Sequence, residues 1–522
     1  MKTFLLAALA VPALIISGAA TAAPERPSNA PERFLVGFAG KPGAAERAAV
    51  ARHGGVVTAD LTNVDALGIS ISQGGASALA REGGVRYVEP DEWRVPVGLK
   101  DAELTPAMSN GLYGLVTTRS VNAHDAGFSG SGVLACVADT GLDFEHPDIA
   151  GNYLGGADFT GDGLGVRGAA DETHGTHVAG TVLAVRGNGQ GVYGAAYGAK
   201  LYHARVLQNS GGYSSWIMNG VRWLVETKKC NIVNMSLGGS RGSRTEENFY
   251  KDMRAKGALI VAASGNDAAT KISYPAAYAT NLAVGAVDVN NALASFSNTG
   301  RNLDLVAPGV GVLSSVPVGL GYESSVTAGK SYTAYALEYA GTTGPTGLTG
   351  QLVNCGKALS PSDCVNKPAS GAWVALIQRG DISFADKVKN VTAAGASAAI
   401  IYNNVAGDFK GTLGSSGNWI PAVSVSQAAG NEMLGVVGQP ATVVNVASDW
   451  DYMDGTSMAT PHASGVAALV WSATVAAKKT ATPASVEDAL VKTAKDLGKV
   501  GYDTTFGHGI VQADAAITYA TR

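Results

Sequence analysis

The sequence predicts an α/β fold built on a doubly wound, mostly parallel sheet, and three observations carry that expectation. The apolar runs "GVLACVAD", "NIVNMSL", "ALIVAAS" and "NLAVGAV" lack polar alternation, as strands covered on both faces do. Amphipathic, helix-like stretches such as "HVAGTVLAV" and "WIMNGVRWLVETKK" stand between such runs and supply the crossovers that parallel pairing requires. The chain of 522 residues is only 15% charged and holds 68 glycines, roughly twice the usual ~7%, so it reads as about three or four compact, turn-rich units. In such sheets, chemistry gathers at the carboxyl ends of the strands.

The chain opens with Lys2, an apolar stretch from Phe4 to Ile16, and small residues at Ala20 and Ala22. This is the pattern of a secretory signal peptide over residues 1–22, with cleavage expected near Ala22. A membrane anchor is disfavoured because the stretch is short and interrupted by Pro12. The expectation is a secreted protein, off the membrane once the signal is removed. A formal net charge of −4 without clustered Lys and Arg excludes a nucleic-acid partner.

Residues 33–93 read as a separate unit: strand "RFLVGFAG", helix "GAAERAAVARHG", strand "ALGISIS", helix "GASALAREGG" and strand "VRYVEPDE". A βαββαβ ferredoxin-like layout accommodates them. The following "RVPVGLKDAELTPAMSNG" reads as an exposed linker, so the unit is either a binding module or a prodomain.

An exported chain can form disulfides. Cys355 and Cys364 bracket the loop-like "GKALSPSD" and make the favoured bridge. Cys136 and Cys230 lie in apolar, strand-like runs where buried free thiols are also common, and their pairing stays open. No Cys/His spacing argues for zinc.

Polar signals punctuate the apolar runs. Asp139 ends "VLACVAD", where a turn cap is the plain alternative. His174 starts the helix "HGTHVAGTVLAV" at what reads as its exposed mouth; paired with His177 it could instead hold a metal, although no H-E-x-x-H pattern is present. Asn266 follows a strand in "VAASGND", and Ser457 lies in "DGTSMATPH", where a helix cap is the plain reading. Acyl transfer needs a nucleophile, a base, a carboxylate that orients the base, and donors for the oxyanion. Ser457, His174, Asp139 and Asn266 supply that set.

The blocks "VADTGLDFEHPD", "HGTHVAGT", "NMSLGG", "AASGN" and "GTSMATPHASG" resemble the signature blocks of the subtilisin-like serine proteases. The resemblance implies a triad of Asp139, His174 and Ser457 with Asn266 as oxyanion donor, and no cofactor for catalysis. It implies that Ser236, Leu237 and Gly238 form an edge that pairs with extended peptide. Ala263, Ser264 and Gly265 should wall the primary pocket. Ser273, where many relatives carry glycine, should narrow its floor. No acid is placed there to demand a basic residue, so broad cleavage with a leaning toward apolar or aromatic residues is expected. Pro461 is expected near the first turn of the helix that Ser457 starts.

The sequence departs from the simplest members between "DLVAPGVGVLSSVP" and "DYMDGTSMATPH", where about 130 residues intervene. Within them, "GAWVALIQRGDISFADKVKNVTAAGASAAIIYNN" resembles a protease-associated (PA) domain of α+β type. The expected organisation is a signal at 1–22, an inhibitory propeptide at 23–105, a catalytic domain at 106–317 and 449–522, and the PA-type insertion at 318–448. Asp148 matches a calcium ligand of the family and Asn188 is the one obvious second oxygen side chain, so structural calcium is weakly supported. Protein and peptide substrates, the propeptide as inhibitor and a monomeric state complete the expectation. A non-catalytic binding protein on the same scaffold, or a zinc hydrolase using His174 and His177, are the competing readings.

Overall fold

The computed structural model describes residues 32–97, 112–415 and 417–522. The expected signal peptide and residues 98–111 of the linker lie outside them.

The centre of the molecule is a seven-stranded sheet, every neighbouring pair parallel. Its order runs Leu305–Pro308, Leu282–Val287, Leu259–Ala263, Ile232–Met235, Ala135–Asp139, Leu201–Arg205, Tyr153–Asp158. The chain enters at Ala135–Asp139, builds one side, then crosses to Ile232–Met235 and builds the other. That reversal beside Ala135–Asp139 is where an open α/β sheet leaves a crevice at its carboxyl ends. Both faces are buried, which explains the missing polar alternation. Ala135 and Val137 face one core with the helices His174–Leu183 and Thr456–Ala476, while Cys136 and Ala138 face a second core with Ser214–Arg222 and Arg244–Ala255. Cys136 and Cys230 are joined in that second core, and Cys355 is joined to Cys364.

The amino-terminal unit is a four-stranded antiparallel sheet ordered Val56–Leu61, Ala66–Ser70, Arg33–Phe38, Val85–Pro90, with helices Ala44–Arg52 and Gln73–Leu79. This is the ferredoxin-like arrangement. Strand periodicity divides its side chains: Phe34, Val36 and Phe38 face its own helices, whereas Leu35, Ala59 and Leu61 join the second core of the large sheet.

Strands Val312–Ser315 and Trp450–Met453 pair antiparallel, Val312 opposite Met453 and Ser315 opposite Trp450. The intervening chain therefore leaves and returns at one point, which is why an insertion of this size is tolerated there. It forms its own eight-stranded sheet and two apolar cores. Strand Trp373–Gln378, helix Phe384–Ala393 and strand Ala398–Tyr402 follow one another in it, the two strands parallel.

Candidate active site

Asp139 is the last residue of the central strand Ala135–Asp139 and is fully buried. Its Oδ1 accepts from His174 Nδ1 at 2.7 Å and from the Thr140 N–H at 2.7 Å. His174 opens the helix His174–Leu183. Its side chain is only 10% exposed, not at an open mouth as the sequence suggested. With Nδ1 held by the carboxylate, Nε2 is the free ring position, and it has no hydrogen-bond partner among the described residues.

Ser457 is the second residue of the helix Thr456–Ala476, entered through Gly455 at φ 147°. Its hydroxyl donates to the Ser236 carbonyl at 3.0 Å. Pro461 falls inside this helix, deeper than the first turn. It lacks the N–H that would reach the Ser457 carbonyl, and Ser236 Oγ donates to that carbonyl instead at 2.8 Å.

Asn266 follows the strand Leu259–Ala263 by way of Ser264 and Gly265. Gly265 has φ +108°, and a Cβ there would lie 2.3 Å from Ser273 Oγ. The Asn266 carboxamide is aimed by Thr456, whose N–H and hydroxyl both donate to Oδ1, at 2.9 and 2.8 Å. That leaves Nδ2 pointing into the cleft.

What Nδ2 meets there is the carbonyl oxygen of Val97, at 2.5 Å. The Ser457 N–H donates to the same oxygen at 3.4 Å, and the Val97 N–H donates to the Ser236 carbonyl at 3.2 Å. Upstream of Val97, strand Trp93–Pro96 pairs antiparallel with Leu237–Gly238 on one side and Gly212–Tyr213 on the other. A Cβ built on Gly238 would lie 3.1 Å from Ser273 Cβ and 3.4 Å from Val97 Cγ2, so the valine side chain sits beside Ser273. Ser264 accepts the Ser273 N–H at 2.9 Å, and Ala263 ends the strand behind it. The described start of the expected exposed linker is therefore covered rather than exposed: Arg94 is 1% and Val97 8% exposed, with Val95 and Pro96 half-buried between them.

Two acids just upstream cap helices across the interface. Glu89 accepts from the Thr245 N–H at 2.9 Å at the start of Arg244–Ala255. Asp91 accepts from the Ser215 N–H at 2.9 Å and from the Ser214 hydroxyl at 2.9 Å at the start of Ser214–Arg222. Each places a carboxylate on orphan N–H groups at the positive end of a helix dipole.

The calcium candidates do meet, but as a hydrogen-bonded pair. Asp148 accepts from Asn188 Nδ2 at 2.6 Å, Trp450 Nε1 at 2.6 Å and the Val192 N–H at 3.1 Å. Calcium asks for six to eight oxygen ligands, and this donor set does not fit one. His177 turns its Nε2 to the Val312 carbonyl at 2.9 Å, away from a shared site with His174. Among the described residues no group of three or more His, Cys, Asp or Glu could hold a metal ion.

Sequence reasoning missed Thr456 and Glu246. Thr456 adjoins Ser457, and its T-S adjacency was a usable signal. Glu246, the partner of Arg94 at 2.6 Å, lies 152 residues away in a helix that no motif marks.

A carboxylate-held histidine, a serine at a helix start and two donors on one peptide carbonyl are the groups that acyl transfer to serine requires. The sequence model of the subtilase family matches residues 130–344 and 428–509, and that of the PA domain matches 348–433. Subtilisin E of Bacillus subtilis (strain 168) is 34% identical over 301 residues, 56% of this chain and 75% of that protein. Subtilisin Savinase of Lederbergia lenta is 45% identical over 212 residues, 39% of this chain and 74% of that one. Among solved structures, the psychrophilic subtilisin-like protease Apa1 from the Antarctic psychrotroph Pseudoalteromonas sp. AS-11 superposes with a TM-score of 0.59 at 32% identity, over 78% of this chain and 98% of that one. The chain belongs to the subtilase family: it is a subtilisin-like serine endopeptidase with a PA domain inserted in its catalytic part.

Proposed function

We propose that this subtilase is a secreted endopeptidase made as a self-processing zymogen, that Asp139, His174 and Ser457 are its triad, and that the bond it cuts in itself is Val97–Gly98. The observation that carries this reading is the Val97 carbonyl oxygen, which accepts from both Asn266 Nδ2 and the Ser457 N–H while its strand pairs with Leu237–Gly238.

From this arrangement the steps follow. The Ser457 hydroxyl rotates from the Ser236 carbonyl toward His174 Nε2, gives up its proton there, and Oγ bonds to the Val97 carbonyl carbon. The oxyanion draws on the Asn266 and Ser457 donors, and loss of one such donor typically costs ~10²–10³ in turnover. Asp139 holds the Nδ1 proton and favours the imidazolium. His174 then passes its proton to the amine of Gly98 as the peptide bond breaks, and water releases Val97 from the acyl-enzyme by the reverse steps.

The amino-terminal unit, residues 32–97, serves as the inhibitor. Tethered at high effective concentration, it fills the cleft before any other substrate, and the Glu89 and Asp91 caps hold it after the cut. Export rests on the signal pattern of residues 1–22. No helix among the described residues is long and apolar enough to cross a membrane. Protein substrates would enter as the same added strand. Bound calcium is not part of this reading at Asp148 and Asn188.

Amino-terminal sequencing of the secreted protein tests the proposal. Wild type should begin at Gly98, and Ser457→Ala, expressed without other proteases, should keep residues 23–97 attached. The same processed terminus in both would assign the cut to another enzyme.

A further inference from the structure

Arg94 occupies a chamber of its own. Counting Val97 as the first residue before the cut, Arg94 is the fourth. Its Nη2 donates to Glu246 Oε2 at 2.6 Å and to the Arg241 carbonyl at 2.7 Å. Both side chains of the ion pair are 1% exposed. The Tyr278 hydroxyl donates to the same Glu246 oxygen at 3.0 Å. Gly239 makes room for the guanidinium, since a Cβ there would lie 2.9 Å from Arg94 Nη1 and 3.0 Å from the Trp93 carbonyl oxygen.

A buried ion pair within one permanent structure would carry no message about substrates. This one joins the catalytic domain to the segment that processing removes. Once residues up to Val97 depart, Glu246 keeps the Tyr278 hydroxyl and loses its cation. Burial pushes the Glu246 carboxyl above the ordinary range, with the Arg94 charge opposing that shift while it is present. A bound substrate covers Glu246 as Arg94 does here, so a cation of the right length restores the ion pair, whereas an apolar side chain buries the carboxylate unpaired.

We propose that Glu246 is a specificity-determining residue that selects peptide substrates carrying arginine at the fourth position on the amino side of the cleaved bond. The Gly239 gap and the Arg241 carbonyl add shape to the charge, because a guanidinium reaches carboxylate and carbonyl together through fixed donors. The proposal rests on the reading of Val97–Gly98 as the processing bond. It extends the sequence expectation of an apolar leaning, which concerned the primary pocket beside Ser273.

The test uses the processed, active protein and internally quenched octapeptides of residues 93–100, WRVPVGLK, with arginine, citrulline or leucine at the second place. Citrulline keeps the shape of arginine and removes its charge. The arginine peptide should be cut between Val and Gly, with kcat/KM roughly 30-fold or more above the leucine peptide, and citrulline close to leucine. Glu246→Gln should shrink the arginine preference to within about threefold. If that variant is not secreted, the three peptides on the wild-type enzyme decide alone. Equal rates for all three, alongside casein hydrolysis that Ser457→Ala abolishes, would overturn the role of Glu246 and leave the protease reading intact. No Ser457-dependent hydrolysis of casein or any peptide would overturn both.

Discussion

The hydroxyl of Ser236 donates to the backbone carbonyl of Ser457 at 2.8 Å, in the place where Pro461, four residues further along the helix, has no N–H to offer. The same hydroxyl accepts from Asn234 Nδ2 at 3.0 Å, and Asn234 Oδ1 accepts from Ser464 Oγ at 2.8 Å. The helix that carries Ser457 is thus tied to the carboxyl end of strand Ile232–Met235 by a buried polar chain.

Ser236→Ala should leave the Ser457 carbonyl and the Asn234 amide without this partner, at a cost of about 1–3 kcal/mol. Denaturant unfolding in a Ser457→Ala background, which prevents self-digestion, measures it. Adding Pro461→Ala restores a helical N–H and should recover part of the loss. Losses that simply add would show that the hydroxyl does not substitute for the missing helical bond.

Thr456→Val removes one of the two donors that aim the Asn266 carboxamide. Turnover of a small peptide should fall roughly 10-fold with KM little changed, because in the proposed mechanism the Asn266 donor acts mainly on the oxyanion. In the double variant with Asn266→Ala the Thr456 change should add almost nothing, since a positioning residue has no effect once the group it positions is gone. Fully additive losses would remove the positioning role.

Burial holds His177, His203, His462 and His124 below their ordinary range, the first three most strongly: His177 down to about 3, His203 and His462 each to about 4. Their folded values lie under the unfolded value near 6.5, so the unfolded chain binds more protons below that pH. Stability from this source is complete above about pH 6.5 and is lost as pH falls toward 4. The slope approaches three protons, about 4 kcal/mol per pH unit. Burial also raises Asp304 to about 7 and Asp408 to about 6, which opposes this slope over the same range. The histidine share is therefore read as the difference in melting temperature between Ser457→Ala with and without His462→Gln from pH 5 to 7.5; no pH dependence in that difference would contradict the assignment.

Asp91→Ala should loosen the amino-terminal unit by roughly 3–30-fold, the range expected for loss of a helix cap. The lag before secreted protein hydrolyses casein should shorten accordingly. An unchanged lag would mean that release is limited by some other step.

Much of the fold was legible. Runs such as "ALIVAAS" announce strands covered on both faces, and here Leu259 and Val261 face one core while Ile260 and Ala262 face the other. The strand, helix, strand pattern within the insertion was equally readable, because hydrophobic periodicity is written in windows of about ten residues. The pairing of Cys136 with Cys230 was not readable, since buried thiols and bridged ones leave the same local pattern. Nor was the true depth of Pro461, because the helix continues through it only where Ser236, 221 residues from Ser457 in the chain, supplies the missing donor.

By itself the sequence determined the α/β class, the family and the residue types available at the strand ends, all of which depend on short windows and local spacing. Only the tertiary structure decided that Val97 lies against Asn266 and that Arg94 lies against Glu246. The physical reason is common to both. The two contacts join residues 169 and 152 positions apart, and they exist only where the central sheet, its helices and the amino-terminal unit have packed into one crevice. A carbonyl has no sequence signature at all, and a glutamate inside a helix looks the same whether it faces water or a buried guanidinium. Burial, which no residue possesses alone, brings those ordinary groups into the two contacts on which the proposed oxyanion site and the proposed charge selection rest.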